Sequence, residues 1–311
     1  MTAQTEQQDA ERNAVEAAAL VRRGKLRGIG FMLLTGVLFV CVTVIVRHLG
    51  TDMAPTQSAF IRYAFGTLMI GHVFFRLGGI GRKPRGVWAM YGARGLVHAA
   101  GVSLWFYAMA RIPIAEVTAL GFTAPIFTTL GAALFLGEKL TVPRIGAVLI
   151  GFAGAMVIVR PGLHEINLGT LAQLCAAPLF SMSFLMAKRL TRTESSTAIV
   201  AFLSLFVTIA LLPAALAVWR TPTLTELGWL FCVAALATGG HVTLTQAFRS
   251  ADMAVTQPIQ FLQLVWAALL GLVIFGEQPE VWTWLGGGMI VVSATWIARH
   301  ESRIRPVAQA R

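Results

Sequence analysis

Charged residues are scarce in this 311-residue chain, where they make up 13% of the total. A typical soluble domain carries about 25% charged residues, so this chain lacks the polar surface that a water-soluble fold needs. Hydrophobic residues account for 56% of the chain, and the mean hydropathy is +0.71. Since one membrane-spanning helix needs about 20 apolar residues, the chain has room for roughly ten spans joined by short loops.

Motifs that carry catalysis are also missing. The sequence contains no G-x-S-x-G, H-E-x-x-H or Walker A motif and no pair of intramembrane aspartates, which disfavours an intramembrane enzyme and direct coupling to ATP. The three cysteines, Cys41, Cys175 and Cys232, lie in apolar runs without metal-ligand spacing, so we expect them to be buried. The sequence therefore predicts no catalytic residue, no metal site and no cofactor. A passive channel is the other rival class, but nothing resembles a selectivity filter.

Apolar runs separated by short polar segments recur along the whole chain. In hydrocarbon a helix satisfies its own backbone hydrogen bonds, and these runs are too long and too uniform for the strands of a membrane barrel. The predicted fold is therefore an all-α integral membrane protein with ten transmembrane helices. The predicted spans are residues 28–46, 57–76, 87–110, 114–136, 143–160, 168–187, 197–219, 226–248, 253–275 and 281–298.

The positive charges fall mainly on one side of this arrangement. Of the 25 Lys and Arg residues, nineteen lie in the tails and loops on the side of the termini, four lie on the opposite side, and Arg62 and Arg94 lie inside spans. The positive-inside rule therefore predicts an inner (plasma) membrane protein with both termini, residues 1–27 and 299–311, in the cytosol. Residues 1–27 precede the first apolar run and lack the pattern of a removable signal peptide, so we expect a disordered or loosely helical tail. The net charge of +11 then indicates anionic lipid headgroups as partners, and no nucleic acid.

Two parts of the chain resemble each other. The segment that begins at Ala110 aligns without gaps with the segment that begins at Arg249, which matches Gly137 and Glu138 with Gly276 and Glu277. The predicted repeats are residues 28–160 and 168–298, with five spans each. Because five is odd, the second repeat enters the membrane from the opposite side, which is the inverted arrangement of many secondary transporters. Chance similarity between hydrophobic segments is the alternative.

Several short motifs, in this order and spacing, resemble the drug/metabolite transporter superfamily, specifically its EamA-type transporters. They are FIRYAFG at 60–66, the segment 105–140, RPG at 160–162, QAF at 246–248, QPIQFL at 257–262 and FGE at 275–277. The resemblance covers residues 28–298 and implies two five-helix bundles, alternating access and transport of small organic metabolites such as amino acids. Residues 98–113 are most similar to the subgroup that carries riboflavin or S-adenosylmethionine.

Two arginines are the clearest candidates for solute contacts. Arg62 and Arg94 each lie six or seven residues inside a span, roughly 10 Å deep. A charge at the centre of a membrane helix costs about 2.5–3.5 kcal/mol on insertion scales, so such residues usually face a polar cavity. The functional interpretation is a clamp for an anion or carboxylate. The structural alternative is a side chain that reaches an interface or bonds a helix carbonyl.

Two histidines also lie within spans. His98 follows Arg94 by one helical turn, so both share a helix face, and Trp105 and Tyr107 follow on the same span. His241 and Gln246 are polar residues of the eighth span. Each histidine can relay protons or serve as a hydrogen-bonded packing residue, and the sequence leaves both interpretations open.

The fourth and ninth spans occupy equivalent positions in the two repeats, and each contains a proline, Pro125 and Pro258. Interrupted helices in matching positions are typical of a transporter binding site. A run of glutamines at every third position covers one arc of the ninth span, and a polar seam between packed helices is the alternative interpretation. The candidate solute-binding residues on these two spans are Phe122, Thr123, Gln257, Gln260, Gln263 and Trp266.

The matched glutamates and a small-residue stripe complete the predictions. Glu138 and Glu277 would lie at opposite membrane faces, where each can form a gating salt bridge or simply cap a helix. Ala147, Gly151 and Ala155 recur every fourth residue, which favours close helix packing, with a homodimer as the alternative.

Overall fold

A computed structural model describes residues 2–71, 83–124, 126–127, 142–160, 167–250, 259 and 262–304. Every regular element in these ranges is a helix. The helices are α1 (Thr2–Leu49), α2 (Pro55–Ile70), α3 (Arg85–Met109), α4 (Ile114–Gly121), α5 (Val142–Val159), α6 (Leu168–Leu190), α7 (Ser196–Ala217), α8 (Leu224–Ser250), α9 (Leu262–Phe275) and α10 (Val281–Ile304).

Each predicted span contains one of these helices. Among the described residues, four helical segments are long and apolar enough to cross a membrane, namely Leu26–Leu49, Leu168–Leu190, Ser196–Ala217 and Leu224–Ser250. Helix α1 begins at Thr2, so the N-terminal tail is helical and continuous with the first span. The fourth span was predicted over 114–136, and only its first part, up to residue 127, lies within the described residues.

Local sequence signals explain several helix ends. Pro55 begins α2, where its missing N–H has no intrahelical partner to lose. Asn167 caps α6 by accepting a hydrogen bond from the Gly169 amide at 2.7 Å, and Ser195 caps α7 in the same way. These caps satisfy amide groups that would otherwise be left unpaired at the start of a membrane helix.

The helices pack in a pattern that stays the same when the two halves are exchanged. Helix α1 packs against α8, and its counterpart five helices later, α6, packs against α3. Helix α3 also contacts α7, and the equivalent helices α8 and α2 contact each other. Likewise, α4 contacts α6, and the equivalent helices α9 and α1 contact each other. Helices α2, α4 and α5 each contact their own counterparts, α7, α9 and α10. The fold therefore has the contact pattern of two similar halves.

The largest buried cluster lies between α1, α2, α3, α7 and α8, with Tyr63, Phe106 and Val233 among its members. The outer faces are apolar as well, because lipid replaces water there. Cys175 and Cys232 are exposed on this outer surface, and Cys41 is half-buried, so the expectation that all three are buried is wrong. An apolar run indicates burial only where the exterior is water.

The small residues of α5 (Ala147, Gly151 and Ala155) pack against other helices of the same chain. A methyl group at Gly151 would collide with Ile126, and it would lie 2.9 Å from the Ser293 hydroxyl of α10. Ser293 donates a hydrogen bond to the Ala147 carbonyl, and Ala155 is fully buried. These residues let α5 and α10 approach closely, and the homodimer stays a prediction.

Candidate functional site

A cavity of about 90 Å³ lies near the middle of the helices. Helices of both halves contribute to its wall. The lining residues are Phe39 (α1), Tyr63 (α2), His98 and Trp105 (α3), Phe180 and Phe184 (α6), His241 and Leu244 (α8), and Gln263 (α9). The cavity thus combines aromatic walls with three polar side chains, the composition expected of a site for a small organic molecule.

The aromatic walls are arranged around Trp105. Its ring lies 5.9 Å from that of Phe180 and 6.4 Å from that of Phe39, both nearly perpendicular to it. Phe180 in turn stacks on Phe184, with centroids 6.1 Å apart and planes 15° apart. Edge-to-face and offset contacts of this kind are favourable for aromatic pairs and hold the rings in place.

The two histidines meet across the boundary between the halves. Their imidazole rings lie 5.4 Å apart. His98 packs against Phe180 at 5.1 Å, and His241 packs against Phe39 at 5.2 Å. The two contacts are equivalent. His98 of α3 contacts a phenylalanine of α6, and His241 of α8 contacts a phenylalanine of α1.

The phenylalanines were missed by the sequence predictions, although a signal existed. Residues 28–49 align without gaps with residues 169–190, which matches Phe39 with Phe180 and Arg47 with Lys188. The first helices of the two halves thus carry the same aromatic residue at the same position, and both residues line the cavity.

Arg94 is 3% exposed and joins three helices. Its Nε donates to the Ser183 carbonyl at 3.1 Å and to the Ser183 hydroxyl at 3.3 Å, and its Nη1 donates to the Ile199 carbonyl at 3.2 Å. The Ser183 hydroxyl also lies 2.9 Å from Nδ1 of His98. Arg94 therefore fixes α3 against α6 and α7 and supports His98 through Ser183.

Arg62 is equally buried, at 3% exposure. Its guanidinium carbon lies 3.7 Å from the centre of the Tyr63 ring, a favourable cation–π distance. Within the described ranges, neither Arg62 nor Arg94 forms an ion pair with a carboxylate. Neither lines the cavity, and both lie behind residues that do, since Tyr63 is next to Arg62 and His98 is one turn from Arg94.

The structure brings only some of the predicted site residues to the cavity. His98, Trp105, His241 and Gln263 line it. Tyr107 packs instead under the guanidinium of Arg111, at 3.7 Å.

The remaining candidates lie elsewhere. Phe122 is buried in a cluster with α9 and α10, and the Thr123 hydroxyl donates to the Leu120 carbonyl at the end of α4. Gln246 is half-buried away from the cavity, and Trp266 is 45% exposed on the outer surface. Gln257 and Gln260 lie outside the described residues.

Glu277 forms a three-helix contact at the predicted extracytosolic end. Its Oε1 accepts a hydrogen bond from Nε of Arg47 at 3.0 Å and forms an ion pair with Nη2 of Arg47 at 2.9 Å, and its Oε2 accepts from the Ile114 amide at 2.9 Å. Glu277 therefore makes an ion pair with α1 and also caps the N-terminus of α4, so the two interpretations of the sequence hold together. We call Arg47, Ile114 and Glu277 the outer latch. Glu138, the matched glutamate, lies outside the described residues.

An apolar cluster adjoins the outer latch. It contains Val40, Ile114 and Ala267, which are buried, with Val44 and Leu270 packed against them. Along α1, Val40 and Val44 lie between the cavity-lining Phe39 and the latch residue Arg47. We call this cluster the apolar plug.

Comparisons with known proteins identify the family. The EamA-like transporter family matches residues 26–160 and again residues 167–299. A riboflavin transporter of Rhizobium johnstonii is 34% identical over 88% of this chain and 91% of its own length. An S-adenosylmethionine uptake transporter of Rickettsia bellii is 29% identical over 86% of this chain and 91% of its own. A pseudopaline exporter of Pseudomonas aeruginosa is 27% identical over 88% and 96%.

A solved crystal structure has the same fold. It superposes with a TM-score of 0.58 at 19% identity and covers 89% of this chain and 98% of its own. At this identity the likeness supports the fold alone. Together with the apolar helices and the cavity between the halves, the double family match leads to one conclusion: this chain is a multi-pass membrane protein of the EamA-like transporter family, and it transports a small organic metabolite.

Proposed function

We propose that the protein is a secondary transporter that works by alternating access, with ten spans arranged as two inverted repeats, residues 28–160 and 168–298. The protein lies in the inner (plasma) membrane, with both termini in the cytosol. The asymmetry of the Lys and Arg residues supports this orientation. The main helix contacts stay the same when the two halves are exchanged, which supports the repeat.

The observation that carries the proposal is the cavity lined by both halves. In an alternating-access carrier the solute binds between two repeats that move relative to each other. The polar and aromatic groups of this cavity come from α1, α2 and α3 of the first half and from α6, α8 and α9 of the second. A relative movement of the halves would therefore rearrange the whole site.

The volume of the cavity indicates a contracted state. Pockets for drug-sized ligands measure about 300–1,000 Å³, whereas this cavity measures about 90 Å³. Solute entry therefore requires helices to separate, while the outer latch holds the predicted extracytosolic end closed. Opening at that end breaks the contact of Glu277 with Arg47 or with Ile114.

The proposed solutes are riboflavin, S-adenosylmethionine or an amino-acid-like metabolite. Relatives that are similar over most of their length are named for the first two. The aromatic rings of Phe39, Trp105 and Phe180 favour a flat ring system among these candidates, because such rings stack on or against one another.

Counterflow in proteoliposomes tests the proposal. Vesicles that contain the purified protein and unlabelled riboflavin should accumulate radiolabelled riboflavin transiently, which a carrier does and a channel does not. Trp105→Ala, which removes the central wall of the cavity, should abolish counterflow. Trp284→Ala is the matched control, since Trp284 is 45% exposed on the surface of α10. Flux that does not saturate would indicate a channel, and equal activity of both variants would place the site elsewhere.

A further inference from the structure

Among the described residues, the layer behind the cavity wall carries positive charge without a balancing negative charge. Arg62 and Arg94 are each 3% exposed, and the salt bridges of the described residues leave both without a carboxylate. No Asp or Glu lies among the described residues that line the cavity. Charges buried away from water act over longer distances than charges at a surface, because water no longer screens them. The cavity is therefore electropositive.

The hydrogen bonds of Ser183 fix the orientation of His98. The Ser183 hydroxyl accepts from Nε of Arg94, which is always a donor, at 3.3 Å. The same hydroxyl forms a hydrogen bond of 2.9 Å with Nδ1 of His98. A hydroxyl can donate or accept in such a bond, so Nε2 of His98 is an acceptor in one tautomer and a donor in the other. In both cases Arg94, acting through Ser183, orients the ring and leaves Nε2 as a polar group on the side away from Ser183.

We propose that this cavity selects flat heteroaromatic solutes that are neutral or anionic and that carry a polar group for His98, and that it rejects solutes with a fixed positive charge. This inference rests on the proposed function and deepens it. It separates the two kinds of named relative, since the isoalloxazine ring of riboflavin is neutral and rich in acceptors, whereas S-adenosylmethionine carries a sulfonium cation.

The aromatic walls work in the opposite direction, because ring faces attract cations. Their effect is weaker here for two reasons. The ring face of Tyr63 is already occupied by the guanidinium of Arg62, at 3.7 Å. The rings around Trp105 meet edge to face, so part of each face is covered by a neighbouring ring. Two whole charges therefore outweigh the remaining ring faces.

A matched pair of solutes tests the charge selectivity. S-adenosylhomocysteine differs from S-adenosylmethionine by one methyl group and the positive charge of the sulfur. We expect calorimetric titration of the purified full-length chain in detergent to show at least tenfold tighter binding of S-adenosylhomocysteine. Arg62→Gln should reduce this ratio to less than threefold, while Arg62→Lys, which keeps the charge, should retain most of it. The wild-type ratio is decisive even if Arg62→Gln fails to fold.

The role of Ser183 is tested in the same titrations. Ser183→Ala removes the group that orients His98 and leaves both arginine charges in place. Binding of both adenosyl compounds and of riboflavin should therefore weaken by a similar factor, with the ratio between the two adenosyl compounds unchanged. A change in that ratio without a loss of affinity would contradict the assigned role.

Each outcome separates this inference from the proposed function. Binding of S-adenosylmethionine as tightly as, or more tightly than, S-adenosylhomocysteine would overturn the charge selectivity, whatever the counterflow results. If S-adenosylhomocysteine binds more tightly by the expected factor but riboflavin shows no counterflow, riboflavin is rejected as the solute and the charge selectivity stands. If none of the three compounds binds, a site for heteroaromatic solutes is rejected.

Discussion

Removal of the Glu277 side chain should open the predicted extracytosolic end of the protein. Glu277 makes three contacts, two hydrogen bonds and one ion pair, that join α1, α4 and the segment between α9 and α10, and these elements belong to both halves. The side chains of Arg47 and Glu277 are only 23% and 13% exposed. Glu277→Ala breaks all three contacts in the closed state, and it costs nothing in an open state in which they are already broken.

The size of the effect follows from these contacts. Hydrogen bonds to charged groups contribute about 1.5–3 kcal/mol, and exposed ion pairs about 0.2–1 kcal/mol. For this partly buried group we take a total of about 2 kcal/mol. Since about 1.4 kcal/mol corresponds to a factor of ten, the ratio of open to closed protein should rise about thirty-fold.

A cysteine placed beneath the latch reports this opening. Val44 is half-buried, packs against the apolar plug and lies about one helical turn from the latch residue Arg47. We therefore expect a reagent in the outer solution to reach it only when the latch opens. In a chain that lacks Cys41, Cys175 and Cys232, Val44→Cys should react slowly with a membrane-impermeant thiol reagent added to intact cells. Glu277→Ala should accelerate that reaction about thirty-fold, in proportion to the open population.

Glu226→Ala is the matched control for the latch. Glu226 forms an ion pair with Arg220, only six residues away, and accepts from the Thr223 amide at 2.7 Å, so its contacts are local. This variant should leave the labelling of Val44→Cys unchanged. The reasoning fails if Glu277→Ala labels at the wild-type rate, or if Glu226→Ala accelerates labelling equally.

Three further predictions concern packing, topology and the cavity. Gly95→Ala should lower the free energy of unfolding of the protein in detergent by about 1–3 kcal/mol, because the new methyl group collides with Phe206. Gly92→Ala is the control, since the nearest neighbour of its methyl group would lie at 4.0 Å, and its melting temperature should equal that of the wild type. Alkaline phosphatase fused at residue 82 or at the C-terminus should be inactive, and activity at either point would contradict the ten-span topology. Gln263→Leu should weaken riboflavin counterflow without loss of folded protein, since it removes a polar group of the cavity wall; normal counterflow would show that this amide does not contact the solute.

The all-helical fold and the buried polar residues were predictable from the sequence, because both depend on a contrast with the surrounding lipid. Arg94 and His98 stand out in an apolar run, and the cost of placing such groups in hydrocarbon implies an internal partner. The structure supplies that partner in Ser183. The choice between a solute clamp and a structural role was not predictable, since both satisfy the same energetic requirement.

The aromatic residues of the cavity were harder to predict. In a soluble protein an apolar side chain indicates the interior, but in a membrane it is equally stable against lipid. Trp266 and Trp105 therefore look alike in the sequence, although Trp266 lies on the outer surface and Trp105 lines the cavity. Comparison of the two halves removes part of this ambiguity, because Phe39 and Phe180 occupy matching positions.

The same comparison predicts a counterpart of the outer latch. Arg47 aligns with Lys188, and Glu277 aligns with Glu138. If the halves are inverted repeats, exchange of their roles converts the outward-closed state into the inward-closed state. Lys188 and Glu138 should then form an ion pair at the cytosolic end when the outer end is open. In the present state the Lys188 ammonium donates to the Phe248 carbonyl at 3.0 Å.

Removal of this inner pair should act in the direction opposite to the removal of the outer one. Glu138→Ala destabilises the state that is closed at the cytosolic end and open outside, so it returns the population to the outward-closed state. In the Glu277→Ala background, where the open state is enriched, Glu138→Ala should therefore slow the labelling of Val44→Cys. Substitution of Glu226, whose contacts with Arg220 and Thr223 are local, should not. Faster labelling, or no change, in the Glu138→Ala variant would mean that the two glutamates do not exchange roles, and that the halves move by a mechanism other than the inversion of one repeat into the other.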